Sequence, residues 1–146
     1  FDRNMGDHIL NCACSTCSTL AWINNDCAEL MLELTGYSDE GFTLGSTFVN
    51  RYRAKHFLSP HTDRPNGKLG QIYSLVKDWK TNYGGNLFCI NNNDEIIEVV
   101  KPVFNRMSIF DTDDLPVHFV EHLTPYCPIT RISITGWYAK AKSVPD

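Results

Sequence analysis

The sequence predicts a mainly β protein, a double-sheet jelly roll with helical support at its amino end. Two observations carry this prediction: a helical apolar period occurs only early in the chain, and many short β-type runs follow it, separated by turn residues. With 146 residues, of which 42% are hydrophobic, the chain is long enough to bury one core. We therefore predict a single domain over residues 1–146, with helical support and a connector in 1–45, the jelly-roll core in 46–139 and a tail in 140–146.

The helical period lies between Ser18 and Leu34. Apolar residues recur there at intervals of three and four, which places them on one face of a helix. They are Leu20, Ile23, Cys27, Leu30, Met31 and Leu34. Gly36 follows as a helix stop, because glycine readily adopts the left-handed conformation that ends helices. The pattern predicts one supporting helix and then a turn-rich connector.

The β-type texture begins after the connector. Glycine, proline, asparagine and aspartate clusters separate the runs, as expected for turns between short strands. The candidate strands are Thr47–Tyr52, Gln71–Leu75, Leu87–Ile90, Ile96–Val100, Met107–Phe110 and Arg131–Tyr138, with a shorter piece at His118–Val120. We expect Gly84 and Gly85 to adopt positive φ angles in one of the turns.

Charge and hydropathy limit the classes of partner. A net charge of −4 and a pI near 5.7 do not indicate a general phosphate-binding surface, so a nucleic-acid partner is not expected. No apolar run approaches the roughly 20 residues that a membrane span requires. The amino end also lacks a signal-peptide pattern, and we expect a cytoplasmic, intracellular protein. The chain begins with Phe1, which leaves open a trimmed chain and a removed targeting segment; the oligomeric state is also open.

Four of the six cysteines crowd the amino end, namely Cys12, Cys14, Cys17 and Cys27. Their spacing permits a structural zinc site, but one chelating knuckle without a second matched pair is weak evidence for zinc. A disulfide is the second alternative, and buried thiols on a helix are the third. Reduced thiols are the expectation for an intracellular protein, and the role of the cluster stays open.

The principal candidate for chemistry is His61-Thr62-Asp63, followed by histidines at 118 and 122. In an extended strand, residues two apart point to the same side, so His61 and Asp63 can reach one metal ion. Two neutral imidazoles and one carboxylate suit a non-haem Fe(II) site, because three ligands leave positions open for a co-substrate and O₂. By itself a His-x-Asp pair is often a solvated turn. The third ligand must come from elsewhere, and both His118 and His122 are candidates.

A second candidate lies on the last predicted strand. Arg131, Ser133, Thr135 and Trp137 share one face by the period-2 rule. A buried arginine is costly unless it meets an anion, and its planar guanidinium suits a carboxylate in bidentate fashion. Ser133 would add a hydroxyl on the same face. The alternative is an ion pair with one of the 17 acidic residues of the chain.

Several separate motifs occur in one order between about residues 48 and 138. They resemble the prolyl-hydroxylase-like branch of the 2-oxoglutarate- and Fe(II)-dependent dioxygenases, which includes prolyl 4-hydroxylases and oxygen-sensing prolyl hydroxylases. The matching residues are Tyr52, His61-Thr62-Asp63 with Pro65-Asn66-Gly67, Leu75-Val76-Lys77-Asp78-Trp79, Gly84-Gly85-Asn86-Leu87, Pro102-Val103-Phe104-Asn105-Arg106, Phe110-Asp111, His118-Phe119-Val120, and Arg131 to Tyr138.

This resemblance implies a double-stranded β-helix (jelly roll) and a set of site roles. It implies His61, Asp63 and His118 as the iron ligands, with His118 preferred over His122. It places the distal carboxylate of 2-oxoglutarate against Arg131 and Ser133, with Tyr52 as a hydroxyl donor and Leu87 as an apolar wall. Where some relatives carry a second tyrosine near the co-substrate, this chain has Ser74 beside Tyr73, and strand parity makes these two residues alternatives.

The implied activity is hydroxylation of a prolyl residue in a protein or peptide. Fe(II), 2-oxoglutarate and O₂ would take part, succinate and CO₂ would be co-products, and ascorbate would keep the iron reduced. The same chemistry on an amino acid, another side chain or an alkylated nucleobase is an alternative, because substrate-binding loops vary on a common scaffold. A non-catalytic metal-binding module is the alternative from a different class.

Overall fold

A computed structural model describes residues 14–114 and 117–140, without the side chain of Thr16. The chain divides into two compact units. The first takes in the described residues up to Leu44 together with Lys140, and the second is Gly45–Ala139. The single-domain assignment over the whole chain stays a prediction.

The first unit contains two helices where the sequence predicts one. α1 is Ser15–Asn24 and α2 is Asp26–Thr35, followed by a short 3-10 helix at Ser38–Glu40 and by strand β1, Phe42–Leu44. The prediction of one continuous helix from Ser18 to Leu34 is therefore wrong at one point, because the backbone of Asn25 leaves the helical region at φ −114° and ψ −89°. Asparagine and aspartate favour caps over helix interiors, and three of them stand together at 24–26. The predicted stop is confirmed, since Gly36 ends α2 at φ 78°.

Eight strands belong to the second unit, apart from the last residue of β9, Lys140, which is grouped with the first. They are β2 Phe48–Tyr52, β3 Leu58–His61, β4 Leu69–Ser74, β5 Leu87–Ile90, β6 Ile96–Val100, β7 Arg106–Asp111, β8 Val117–Val120 and β9 Arg131–Lys140. All seven predicted runs are strands, with ends that shift by up to two residues. The sequence missed β3, which contains Pro60; proline is tolerated there because β3 lies at the edge of its sheet.

These strands form two antiparallel sheets. In the first, both β2 and β4 pair with β9, and β7 pairs with β4. In the second, the order is β3-β8-β5-β6. Neighbours in both sheets are often distant along the chain, as in a jelly roll built from crossing connections. The predicted mainly β, jelly-roll class is confirmed.

Apolar side chains of the second sheet form the core beneath the site. Leu87, Cys89 and Val120 are buried together, and Tyr52 and Ile72 of the first sheet pack against them. Burial raises the pKa of the Cys89 thiol to about 11, with a smaller contribution from Glu98. Cys27, Cys89 and Cys127 are buried thiols without a disulfide. Cys12 lies outside the described residues, so the role of the amino-terminal cysteine cluster stays open.

Gly84 and Gly85 form a tight turn before β5, with φ angles of 72° and 70°. The positive-φ prediction is confirmed. Gly84 makes an isolated antiparallel bridge to Leu123, and its carbonyl accepts a hydrogen bond from the Trp79 indole at 3.1 Å. The turn therefore connects the start of β5 to the segment that follows β8. Within the described parts of the chain, no helix has the length and apolarity that a membrane span needs.

We predict that Gly84→Ala lowers the free energy of unfolding by about 2 kcal/mol or more, because the new Cβ would combine a strained positive φ with a collision against the His122 carbonyl oxygen. The matched control is Gly45→Ala, whose Cβ would meet only ordinary contact at 3.5 Å from the Trp137 carbonyl oxygen. Chemical denaturation measures both variants. Equal losses for the two would contradict the role of the turn.

Candidate metal centre

Strand pairing brings the three predicted metal ligands together. His61 is the last residue of β3 and lies opposite His118 of β8 in the antiparallel register. Asp63 follows two residues later, outside the strand, where the backbone enters a turn. Each of the three side chains offers one ligand atom, and these atoms all lie within 4.8 Å of one another. The third member of the cluster is His118.

The carboxylate of Asp63 lies between the two imidazoles. One oxygen is 3.2 Å from Nε2 of His118, and the other is 3.7 Å from Nε2 of His61. The amide of Asn66 also donates to Asp63 at 3.3 Å. The Nε2 atoms of both histidines therefore face the same carboxylate.

Burial alone raises the pKa of Asp63, but hydrogen bonding from His118 and the charges of both imidazoles outweigh it, and the pKa lies below its ordinary value. The indole N–H of Trp137 contributes in the same direction, although it falls outside strict hydrogen-bonding geometry. Asp63 is therefore an ionised, buried carboxylate at neutral pH, the form that binds a metal cation.

The tautomer of His61 is set by its backbone surroundings. Its Nδ1 lies 2.9 Å from the carbonyl oxygen of Ser59, which can only accept, so Nδ1 carries a proton and Nε2 is the atom that would bind a metal ion. This is the usual arrangement of a metal-binding histidine. For His118, Nδ1 is buried and has no hydrogen-bond partner among the described residues.

The cluster opens into a cavity of about 260 Å³ between the two sheets. All seven residues that the sequence singled out line it: His61, Asp63, His118, Tyr52, Leu87, Arg131 and Ser133. Strand parity explains this convergence, because alternate residues of β2, β5 and β9 face the interior between the sheets. The described residues that line the cavity thus include one candidate metal-ligand cluster and one buried cation.

Arg131 is the buried cation. Only 5% of the residue is exposed, and no described carboxylate pairs with it, which argues against the alternative of an internal ion pair. It lies opposite Tyr52 in the register of β2 and β9, with its guanidinium 5.2 Å from the centre of the tyrosine ring. Burial lowers the pKa of Arg131, and Tyr52 acts in the opposite direction. An arginine that is buried without an anion fits a site that receives one.

Two further predicted residues lie beside Arg131. Ser133 is buried two residues further along β9, on the same face as Arg131, and Leu87 is buried on the facing sheet. Ser74 and Tyr73 point to opposite faces, as strand parity requires. Ser74 is buried near Arg131, whereas the Tyr73 hydroxyl donates to the Asn105 side chain.

The remaining histidines are elsewhere. His122 stacks on Phe57 with ring centres 4.1 Å apart and is not part of the cluster. His56 is exposed, and His8 lies outside the described residues. The preference for His118 over His122 therefore agrees with the geometry.

Several lining residues were not singled out as site residues. Asn50 donates to Thr135 at 2.5 Å, and Trp137 places its indole near Asp63. The period-2 rule could have identified them. Asn50 lies two residues before Tyr52 and so shares its face of the strand, and Thr135 and Trp137 share a face with Arg131. Asn66 lies in a turn and had no such signal.

The donor set fits Fe(II). Two imidazole nitrogens and one carboxylate are the ligand types of non-haem iron sites, and a set of three protein ligands would leave room for further ligands on a bound iron. The described residues that line the cavity include no fourth histidine or carboxylate that would close those positions.

Comparisons with known proteins agree with this geometry. A comparison with curated protein sequences gives no significant match. Among solved structures, a Pseudomonas putida prolyl-4-hydroxylase aligns with a TM-score of 0.64 and 19% identity, covering 88% of this chain and 68% of that one. A prolyl hydroxylase from Trichoplax adhaerens, in complex with a peptide fragment of the hypoxia inducible factor oxygen degradation domain, aligns with a TM-score of 0.67 and 20% identity. The alignment covers 86% of this chain and 58% of that one. A structure of prolyl 4-hydroxylases from Phytophthora capsici aligns with a TM-score of 0.62 and 23% identity, covering 85% of this chain and 43% of that one.

The chain thus spans between about two fifths and two thirds of the length of these three structures, and at these identities the likeness concerns the fold. The family model described as the 2OG-Fe(II) oxygenase superfamily matches residues 47–139. This range is more than half of the chain and contains the whole His61, Asp63 and His118 cluster. The chain therefore belongs to the 2OG-Fe(II) oxygenase superfamily.

Proposed function

We propose that this oxygenase hydroxylates a prolyl residue in a protein or peptide, with succinate and CO₂ as co-products. Membership of the superfamily implies a dioxygenase that uses Fe(II), 2-oxoglutarate and O₂. The observation that carries the proposal is the buried Arg131, which has no carboxylate partner among the described residues and lines the same cavity as the three-residue cluster. A metal cluster and an anion site in one cavity suit a 2-oxo diacid.

In this proposal His61, Asp63 and His118 hold the iron. His61 is held in position by the Ser59 carbonyl, and Asp63 supplies the negative charge that favours a dication. Asn66 donates to Asp63 and would restrain its carboxylate. When bound, the metal, the oxo acid and O₂ supply oxidative decarboxylation coupled to transfer of a hydroxyl group to a substrate carbon.

Arg131 binds the distal carboxylate of 2-oxoglutarate in bidentate fashion, and Ser133 adds a hydroxyl. Tyr52 lies against the guanidinium and would donate its phenolic O–H to the same carboxylate; burial raises its pKa, with Arg131 opposing, so the proton is retained at neutral pH. Leu87 forms the apolar wall along the methylene groups. These groups would orient the acid between the arginine and the metal.

The two ends of the cavity differ in exposure, and this supports the choice of a large substrate. Arg131 is buried, whereas the His61 side chain is 33% exposed. Leu58 lines the cavity near His61 and is exposed, as is the adjacent Phe57. An apolar rim at the open end would pack a pyrrolidine ring while the rest of a peptide remains outside. The closed end would exclude water from the oxo acid.

The prolyl substrate is favoured because the similar structures are prolyl hydroxylases, one of which is in complex with a peptide fragment. The same chemistry on an amino acid, another side chain or an alkylated nucleobase would use the same metal and oxo-acid residues. We further propose that ascorbate acts as the reductant. A cytoplasmic location stays a prediction.

The first test is an anaerobic titration of the metal-free protein with Fe(II) and then 2-oxoglutarate, which develops a visible charge-transfer band when the oxo acid chelates iron. We expect the band in the unmodified chain and in His122→Ala, and its loss in Asp63→Ala and His118→Ala, because only the last two variants lose a ligand. Iron binding without a band would overturn the co-substrate assignment. Failure to bind either would favour a non-catalytic module.

The substrate is tested by mass spectrometry of proline-containing peptides after aerobic incubation with Fe(II), 2-oxoglutarate and ascorbate. We expect a mass increase of one oxygen on a prolyl residue, with matching succinate, and none in Asp63→Ala. Oxygen transfer to another residue, or only to free amino acids, would redirect the assignment to one of the other substrate classes. Omitting ascorbate would slow sustained turnover if it serves as the reductant.

Arg131→Met should separate binding from stability. The variant removes a buried cation that lacks a carboxylate, so we expect the ligand-free protein to keep or gain stability, by up to about 1 kcal/mol. The affinity for 2-oxoglutarate should fall by about 100-fold, because the distal carboxylate loses its charged partner. Thermal unfolding and titration of the Fe(II) protein measure the two effects, with the exposed Arg51→Gln as control. Loss of iron and oxo-acid binding to the same extent in a folded Arg131→Met protein would contradict this role.

A further inference from the structure

A second, smaller space adjoins the closed end of the main cavity. It has a volume of about 20 Å³ and shares Ile72, Leu87 and Arg131 with the main cavity, but none of the three candidate metal ligands lines it. A space for one water-sized sphere takes about 10–15 Å³ by this measure, so this one accommodates one water or one methylene-sized group. It therefore extends the site on the arginine side by about one small group.

Two buried polar atoms at this end have no partner among the described residues. The hydroxyl of Ser74 and the Nε of Arg131 are both unpaired, and the two residues are only 7% and 5% exposed. Buried donors without acceptors are costly, and two such donors on residues that line one space favour an acceptor that arrives with a ligand. Both residues line the small space.

The charge around this space is positive. Lys101 and Arg106 line it together with Arg131, and no carboxylate does. Arg106 donates to the backbone carbonyl of Lys101 at 3.3 Å, and neither cation makes an ion pair with a described carboxylate. In the strand register Arg106 lies opposite Ser74 of β4, and Ser74 lies opposite Ser133 of β9. A row of donors thus crosses the sheet at the closed end.

We infer that the closed end of this cavity binds a 2-oxo diacid one methylene longer than 2-oxoglutarate. The inference rests on the proposed function, because the 2-oxo group of the longer acid would be held at the same metal centre. The additional methylene shifts the distal carboxylate toward the small space by about one small group, which is the extension that this space allows. There the carboxylate accepts from Nε of Arg131 and from the Ser74 hydroxyl, and it comes nearer to Arg106.

Calorimetric titration with 2-oxoglutarate and 2-oxoadipate tests the inference on the full 146-residue chain, loaded with Zn(II) in place of Fe(II) so that no turnover occurs. We expect the two dissociation constants to lie within about tenfold of each other. Ser74→Val fills the small space and removes its hydroxyl. This variant should lower the affinity for 2-oxoadipate by about tenfold or more, while the affinity for 2-oxoglutarate changes by less than about threefold.

Arg106→Gln provides a second variant on an exposed residue, where the change does not threaten folding. We expect this variant to lower the affinity for 2-oxoadipate by about threefold relative to that for 2-oxoglutarate, since the substitution removes one cation near the longer acid. The matched control is Arg51→Gln, an exposed arginine of β2 that lines neither space and should change neither affinity.

The outcomes separate this inference from the proposed function. If 2-oxoglutarate binds and 2-oxoadipate binds more than about tenfold more weakly, the inference fails and the proposed function stands. If Ser74→Val and Arg106→Gln weaken both acids equally, the small space does not receive the longer acid. If neither acid binds the zinc-loaded chain, the co-substrate assignment itself fails.

Discussion

The candidate site depends on the antiparallel pairing of β3 with β8. This pairing places His61 opposite His118, two residues that are far apart in the sequence. The chain leaves β3 immediately after His61, and the following turn brings the Asp63 carboxylate back between the two imidazoles. A slip of one residue in this register would turn one imidazole to the outside of the sheet. β8 is held on its other side by β5, so the register of the cluster is fixed from the interior of the sheet.

Electrostatic cost is concentrated around the cavity. Asp63 and Arg131 are both buried, and they are not partners of one another. Asp63 is compensated by hydrogen-bond donors, whereas Arg131 lies against the ring of Tyr52 and makes no ion pair with a carboxylate of the described residues. In an unliganded protein such a charge opposes folding, since burial removes hydration without supplying an anion. The fold tolerates this because apolar residues of both sheets pack around the same space, with Leu87, Cys89 and Val120 at their centre.

The two sheets contribute different chemistry to one cavity. The second sheet supplies the imidazoles, and the first supplies Arg131, Ser133 and Ser74. A bound dicarboxylate would therefore interact with both sheets and stabilise their packing, as expected for a ligand that binds only the folded state. The turn at Gly84 and Gly85 matters for the same reason. It brings the start of β5 against Leu123 and the stem of Arg131, where only glycines fit without displacement.

The sequence by itself determined the class of fold and the residue types of the site. Short β-type runs separated by turn residues identified seven strands. The period-2 rule placed Arg131 and Ser133 on one face, and the His-x-Asp spacing placed His61 and Asp63 on one side. Local signals missed β1, which lies in the predicted connector, and β3, because Pro60 disguises an edge strand. They also missed the helix break at Asn25, because the apolar period continues across it.

Only the tertiary structure decided which histidine joins the cluster and which polar groups lack partners. His118 and His122 are four residues apart and equivalent by composition, and the pairing of β3, β8 and β5 separates them. The unpaired state of Arg131 and Ser74 depends on every side chain that could have reached them, and most of those are distant in sequence. Such contacts arise between strands brought together by folding, whereas the sequence records directly only the alternation within each strand.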